Sequence, residues 1–256
     1  MHIDTKAVPK GEEQPARVID NNDPLKSGRV RVQFPWQEAK GQKTPWIRLI
    51  QPHSGAGKGF HFIPEIGEEV LVSHESQNAE KPFVMGTHYN GAETSSYHTS
   101  GNDKKVIHTR SGTKIILNDA EGSVFIEDPS GNTYLMDGQG NINVNAPKNM
   151  TFTAGENVTI TAGMNITASA GMNISENAGI NHSSFAGAMI LQNAVADYSL
   201  MAANITQYAK EDFVKEASNI TKSASDGIFM ISESGSIVRD AEKEIKHNSG
   251  ENSFFA

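Results

Sequence analysis

The most regular pattern of polar and apolar positions lies in the second half of the chain, where an eight-residue unit recurs. The octets AGENVTIT, AGMNITAS and AGMNISEN run consecutively over residues 154–177. Asparagine returns at intervals of eight, at Asn141, Asn149, Asn157, Asn165, Asn173 and Asn181. Polar and apolar residues alternate within an octet, as in the NVTI of residues 157–160. This alternation predicts one short strand per octet, and the Ala-Gly pair predicts a corner.

The corner glycines are expected to permit a bend that would strain other residues; they are Gly155, Gly163, Gly171, Gly179 and Gly187. A single ribbon of this kind has one narrow apolar row and two unpaired edges. Its burial cannot offset the roughly 1 to 2 kcal/mol per residue lost on ordering the backbone. Two arrangements remain open: one chain coiled with three octets per turn, or three chains wound about a common axis.

The eight-residue spacing continues beyond the octets, but some intervals are one residue shorter or longer. Large apolar residues recur seven to nine apart at Ile190, Tyr198, Ile205, Phe213, Ile220, Ile228, Ile237, Ile245 and Phe254. Residues 208–217, YAKEDFVKEA, also have the composition of a short amphipathic helix. The Ser- and Asn-rich octets on both sides favour continuation of the β pattern.

The first half of the chain predicts a small closed β domain. Five short runs rich in β-branched and aromatic residues, ARVID, GRVRVQF, WIRLIQP, EEVLVSHE and PFVMGTH, are separated by turn-rich loops. This is typical of a partly open Greek-key barrel of the OB type. Three more strand-sized segments, TKIILND, SVFIEDP and NTYLMDG, follow it. The predicted organisation is a linker or cut end over 1–14, the barrel over 15–92, a transition over 93–140 and octad repeats over 141–256.

Composition and charge narrow the function. The apolar fraction of 37% is below the usual ~45–50%, which fits a core completed by other chains. The net charge of -8 argues against nucleic-acid binding, since that affinity rests on cationic contacts. The chain has no cysteine, and its N-terminus has no apolar stretch of the signal-peptide kind. We therefore expect synthesis in the cytoplasm and, if the protein leaves the cell, another export route.

Candidate chemistry in the barrel is weak. The spacings of His53, His61, His74 and His88 match no metal-ligand motif. GAGKGF, residues 55–60, lacks the phosphate-loop arrangement, and the carboxylates Glu65, Glu68, Glu69 and Glu75 have no evident partner base. Trp36 and Trp46 are expected in core or neck packing. No catalytic, cofactor or metal site is predicted, and the protein is predicted not to be an enzyme.

Four ordered stretches resemble the VgrG (valine-glycine repeat) spike proteins of type VI secretion, which are similar to the central spikes of contractile-tailed phages. They are ARVIDNNDPLKSGRVRVQFPW, TPWIRLIQPHSGAGKGFHFIPEIGEEVLV, EKPFVMGTHYNG and TRSGTKIILNDAEG, within about residues 16–140. The resemblance implies an all-β protein: an OB-fold barrel followed by an intertwined, triple-stranded β-helix needle made by a homotrimer. The structural residues expected in the barrel are Gly28, Arg29, Pro35, Trp36, Trp46, Gly59, Phe60, Pro64 and Gly67.

The resemblance also implies a membrane-puncturing spike that delivers effectors mechanically through a target membrane. An inner-tube protein of the Hcp type would be joined through a base domain, which we expect either to be cut from this chain or to be supplied as a separate protein. Residues 91–106 leave no room for the lysozyme domain that a phage spike has at this point. Export would occur on the apparatus, into a target cell or the medium. A phage-derived injection spike, a monomeric β-solenoid enzyme and an OB-fold nucleic-acid binder are the alternatives.

A trimer predicts two groups of residues, one in its shared core and one at its C-terminal tip. The predicted trimer core is Ile142, Met150, Val158, Ile160, Ile166, Ile174, Ile190 and Ile228. The C-terminus has only His247, so no metal-binding tip is expected. The predicted docking site for a conical tip protein of the PAAR type is Ser253, Phe254, Phe255 and Ala256.

Overall fold

The structure is a computed structural model that describes residues 9–248. The described chain divides into two units, residues 9–164 and residues 165–248. Every helix and strand of the described residues lies in the first unit. Its helical content is limited to one short α-helix, Pro35–Glu38, and one 3-10 turn, Glu75–Gln77. The predicted all-β class is confirmed.

The first seven strands comprise the five strands of the barrel sheet and a separate two-stranded hairpin. They are β1 Gln14–Asp20, β2 Arg31–Gln33, β3 Arg48–Leu49, β4 Ser54–Gly55, β5 Lys58–Gly59, β6 Glu69–His74 and β7 Pro82–Thr87. The main sheet has the order β2-β1-β6-β7-β3, and all its pairs are antiparallel except β3 with β7. Val30 and Ile47 exchange two backbone hydrogen bonds of 3.0 and 2.9 Å, which join the two ends of the sheet. The five predicted runs therefore form the five strands of a curled, OB-like sheet.

The barrel core follows the alternation of apolar residues in these strands. Its buried members are Ala16, Val18, Val30, Val32, Phe34, Ile47, Val70, Val72 and Val84. Pairs two residues apart, such as Val70 and Val72, face inward, while Leu71 between them is only half-buried. Leu49 and Ile63 pack against this cluster from its margin. The core is small and rich in valine, as a narrow barrel interior requires.

The next five strands form an antiparallel meander. They are β8 Lys104–His108, β9 Lys114–Asn118, β10 Ser123–Glu127, β11 Thr133–Met136 and β12 Ile142–Asn145, adjacent in chain order. Asp128 and Asp137 shape the last two turns, because each carboxylate accepts hydrogen bonds from an asparagine four residues later. The Ser130 hydroxyl, followed by Asn132, lowers the pKa of Asp128 to about 2.

Residues 146–248 contain no helix or strand, and all the residues of 151–248 are exposed. Residues 208–217 accordingly form no helix. The octad period nevertheless appears in the backbone as bends that begin at Gly155, Gly163, Gly171, Gly179 and Gly187, and again at Val195 and Ala203. The β-helix predicted for 141–256 stays a prediction beyond β12.

The physical reason expected for the corner glycines is wrong. None of the five repeat glycines from Gly155 to Gly187 has a φ in the left-handed region, so the bend itself does not require glycine. A Cβ added at any of them would meet nothing within 4 Å in the described chain. Neither backbone strain nor an intrachain contact therefore accounts for glycine at the corners.

Candidate assembly surface

The meander carries apolar side chains on both faces. Directly paired residues of an antiparallel sheet share a face. One ladder of such residues joins all five strands on one face: Ile107, Ile115, Ile126, Tyr134 and Val144. A ladder on the opposite face joins the first four strands: Val106, Ile116, Phe125 and Leu135. The members of the first ladder other than Tyr134 are exposed, so this face presents a continuous apolar surface.

The predicted trimer-core residues other than Ile160 belong to an octad row, the apolar residues spaced seven to nine apart from Ile142 onward, which share a similar exposure. Every octad-spaced apolar residue from Ile142 to Ile245 is between 46 and 64% exposed. Most other large apolar residues after Met150 are at least 72% exposed, including Ile160 at 74%. Leu200 and Met230 are exceptions, and each lies two residues after a member of the row. Within each unit the row is therefore distinguished by its lower exposure, and in an extended segment a residue two positions later can point the same way.

One motif of the barrel is more tightly organised than the sequence analysis anticipated. Arg29 was singled out, but its partner Asp23 was missed. The Asp23 carboxylate accepts from the Arg29 guanidinium, with Nη2 at 2.6 Å and Nε at 3.0 Å, and from the backbone N–H groups of Leu25, Ser27 and Arg29. The Arg29 side chain is the main cause that holds the pKa of Asp23 well below its usual range. The pair fixes the loop between β1 and β2.

The two tryptophans differ in their environment. Trp36 is 61% exposed and stacks on Phe34 with ring centroids 5.4 Å apart, so it lies outside the barrel core, and neck packing stays a prediction for it. Its indole N–H donates to Gln14. Trp46 is half-buried beneath the Arg31 guanidinium, 4.8 Å from the ring centroid. Two features hold Trp36 on the outside of the barrel. Its ring stacks on Phe34, and Pro35 begins the short helix that carries it.

The remaining predicted barrel residues lie in its loops. Gly28, Gly59 and Gly67 have positive φ values. A Cβ on Gly59 would come within 2.4 Å of the His53 carbonyl oxygen, so this hairpin admits only glycine. Pro64 is buried, and its carbonyl oxygen accepts from Asn21. Phe60 is half-exposed, and its ring centroid lies 6.0 Å from that of Phe62.

The barrel residues weighed as catalytic or metal-binding candidates do not converge. Glu75 pairs with Arg48, Glu65 with Arg110, and Glu69 accepts from Asn90. No group of three or more His, Asp or Glu residues suited to a metal ion occurs within the described part of one chain. GAGKGF forms the β4–β5 hairpin and is not a phosphate loop that opens a helix.

Two further observations bear on the surface. Ser253, Phe254, Phe255 and Ala256, the predicted docking residues, lie outside the described residues. In residues 9–248 no helix has the length and apolar character needed to cross a bilayer. The described surface that needs an explanation is therefore the apolar ladder and the octad row.

The first half of the chain is thus a curled OB-like barrel followed by a β meander, and an octad row of apolar residues follows them in the sequence. Comparison with known proteins gives this chain a family context. Residues 14–89 match the family described as "Type VI secretion system/phage-baseplate injector OB domain". The resemblance to VgrG spike proteins predicted from the sequence is confirmed by this match together with the relatives below.

The chain is similar to the type VI secretion system spike protein VgrG2a of Pseudomonas aeruginosa, with 38% identity over 85 residues, 32% of this chain and 10% of the relative. It is also similar to the spike protein VgrG3 of Vibrio cholerae, with 31% identity over 108 residues, 41% of this chain and 10% of the relative. A further relative from Vibrio cholerae, named actin cross-linking toxin VgrG1, is 34% identical over 73 residues, 27% of this chain and 7% of the relative. The chain thus spans only about a tenth of the curated relatives it matches.

Proposed function

We propose that the chain is a homotrimeric, membrane-puncturing spike of a type VI secretion apparatus and that its second half is an intertwined triple-stranded β-helix. The observation that carries the proposal is the octad row of apolar side chains, which are half-exposed in one chain. Each Å² of apolar surface that is removed from water contributes about 25 cal/mol to the stability of the assembly. Three copies that share the row about one axis bury it without any other partner.

The corner glycines support the same arrangement. Since no contact within the described chain limits their size, close approach by a neighbouring chain is a sufficient reason for glycine. The meander supports it as well, because a sheet that is apolar on both faces needs a second layer on each.

The proposed function is mechanical and not enzymatic. In an intertwined trimer each strand edge is paired by a neighbour, so no chain can leave without breaking many hydrogen bonds along the shaft. The resulting rod transmits force from a contracting apparatus and resists unfolding during passage. Export on the apparatus itself, into a target cell or the medium, accompanies this role. An activity named for one relative, such as actin cross-linking, is a property of that relative and is not proposed for this chain.

The proposed partners are an inner-tube protein of the Hcp type, effectors and a PAAR-type tip protein. The tip protein would dock on the six phenylalanine side chains that Phe254 and Phe255 supply in a trimer. Deletion of residues 253–256 tests this part. We expect loss of tip-protein binding with the trimer intact, and unchanged binding would remove these residues as the docking site.

Solution mass tests the proposal as a whole. The chain has a mass of 27.7 kDa, so light scattering is expected to give about 83 kDa for the trimer. A mass of one chain would refute the trimer and with it the shaft. A phage-derived injection spike is a second candidate, favoured by the family description that names the phage baseplate. The genes that adjoin the coding sequence separate the two, since they encode either a secretion apparatus or a phage tail.

A further inference from the structure

The octad row is interrupted at one position by a titratable side chain. The residue after each repeat asparagine is apolar from Ile142 to Ile174, but the residue after Asn181 is His182. The row resumes at Ile190, eight residues later. His182 therefore occupies a row position by its spacing, and like the rest of the row it is exposed in one chain.

A second titratable side chain shares this face. Glu176 lies two residues after Ile174, and residues two apart in a strand-like segment face the same way. Its Oε2 atom lies 3.1 Å from Nε2 of His182, although the bend at Gly179 separates the two residues. The contact shows directly that the two side chains converge on one side of the chain.

The surrounding sequence makes this pair exceptional. Between Glu156 and Asp197 the chain contains no titratable side chain other than Glu176 and His182. The two that do occur contact each other. An ionisable pair at a buried level is costly unless its charges are compensated. In the proposed trimer, the charged groups that face His182 at this level are Glu176 and the copies of both residues in the other two chains.

We propose that the three copies of His182, each held by Glu176, bind one divalent transition-metal cation on the three-fold axis of the shaft. This inference rests on the trimer of the proposed function. An ionised carboxylate only accepts hydrogen bonds, so a neutral His182 that contacts Glu176 through Nε2 carries its proton there and keeps a lone pair on Nδ1 for a metal ion. A carboxylate on one ring nitrogen with a metal on the other is a common arrangement at metal sites.

The charge of the three Glu176 carboxylates also favours a bound cation. Three carboxylates at one level of an otherwise apolar row would repel each other and pay a large desolvation cost. A divalent cation offsets most of this charge while using three neutral imidazoles as ligands, which suit zinc and nickel. The site would join all three chains at one level, so it would resist their separation.

The test is thermal unfolding of the full chain, stripped with a chelator and then titrated with Zn²⁺ or Ni²⁺. At a metal concentration of about 100 times Kd the stabilisation shared by three chains is about 1 kcal/mol per chain, so we expect Tm to rise by about 2 to 4 °C, with one ion bound per three chains. His182→Ile restores the apolar row and is expected to keep the trimer but abolish the shift. Glu176→Gln is expected to weaken metal binding about 10- to 100-fold. The exposed His98→Ala and Glu156→Gln are matched controls that keep the full shift.

The outcomes separate this site from the trimer itself. A trimeric mass without a metal-induced shift, or an equal shift in His182→Ile, overturns the metal site and leaves the proposed function standing. A trimer that is stabilised only by acidification, without metal uptake, also overturns it, because protonated His182 then compensates Glu176. A single-chain mass refutes the proposed function first and removes the axis on which the site depends.

Discussion

Asp23 and Arg29 form a two-pronged ion pair in which both guanidinium donors, Nη2 and Nε, reach the carboxylate of a buried aspartate. Three backbone N–H groups complete the shell around the same carboxylate. Because the pair holds the loop that leads into β2, it determines where Val30 can meet Ile47 and close the sheet. The curvature of the barrel thus depends on a polar contact beside its core.

The pair predicts how barrel stability varies with pH. The folded pKa of Asp23 is lowered, first by Arg29 and then by the backbone donors, whereas the unfolded pKa is about 3.9. The stabilisation is therefore complete above the unfolded pKa and is lost as pH falls below about 4. We expect Asp23→Asn to lower the denaturation midpoint at pH 7 and to differ less from the native protein at pH 3.

The control for this prediction is Asp119→Asn. Asp119 pairs with Lys105, and both side chains are more than half exposed. Such a pair contributes roughly 0 to 1 kcal/mol, so the midpoint should hardly change at either pH. Equal losses in the two variants at pH 7 would contradict the role given to Asp23.

Valine packing predicts the cost of a cavity in the barrel. Val72 is fully buried, and Val72→Ala removes its two γ-methyl groups from the core. We expect the free energy of unfolding to fall by about 2 kcal/mol in urea titrations. Leu25→Ala, at a position 70% exposed in the β1–β2 loop, is expected to change it by less than about 0.5 kcal/mol. Similar losses in both variants would show that Val72 is not part of the core.

The corner glycines allow a matched comparison. Gly171 and Gly91 both lack a left-handed φ, and a Cβ on either meets nothing within 4 Å in one chain. A difference in stability between Gly171→Val and Gly91→Val would therefore point to contact of residue 171 with another chain. We expect Gly171→Val to destabilise the trimer by about 1 to 3 kcal/mol per chain through overpacking, with Gly91→Val near neutral. Equal thermal stabilities of the two variants would argue against close approach at the corners.

The octad row predicts a polarity effect on assembly. Ile174→Asp would place an uncompensated carboxylate in the shared core, at a cost of several kcal/mol per chain. We expect sedimentation velocity to show dissociated or aggregated chains. Ser175→Asp changes the adjacent residue on the opposite face and should leave the trimer intact. A normal trimer in Ile174→Asp would remove Ile174 from the core.

The sequence predicted those parts of the fold whose signal is local. The five barrel strands follow from alternation and turn residues, and β9 to β11 follow from their bounding turns. Strand β8 was missed because KKVIH is short and half charged, and its pairing with β9 decides its structure. Asp23 was missed because a carboxylate in a turn-rich loop is ordinary until the fold brings Arg29 to it.

The sequence predicted the spacing of the candidate assembly surface, but the physical reason it suggested for the corner glycines is wrong. The row of apolar residues follows from the octad spacing. Glycine at the corners was attributed to backbone strain, which periodicity alone cannot distinguish from close approach by a neighbour. The contact between Glu176 and His182 was also missed, since it crosses a bend and joins two different octets.

Cross-linking on the proposed axis tests the central claim most directly. The chain has no cysteine, so Ile166→Cys introduces one thiol per chain into the row. Three equivalent thiols on an axis form one disulfide and leave one thiol free, so oxidation should convert about two thirds of the chains to disulfide-linked pairs. Thr167→Cys on the outer face should form none. Complete pairing of the Ile166→Cys chains, or no pairing at all, would contradict an in-register trimer that shares the octad row.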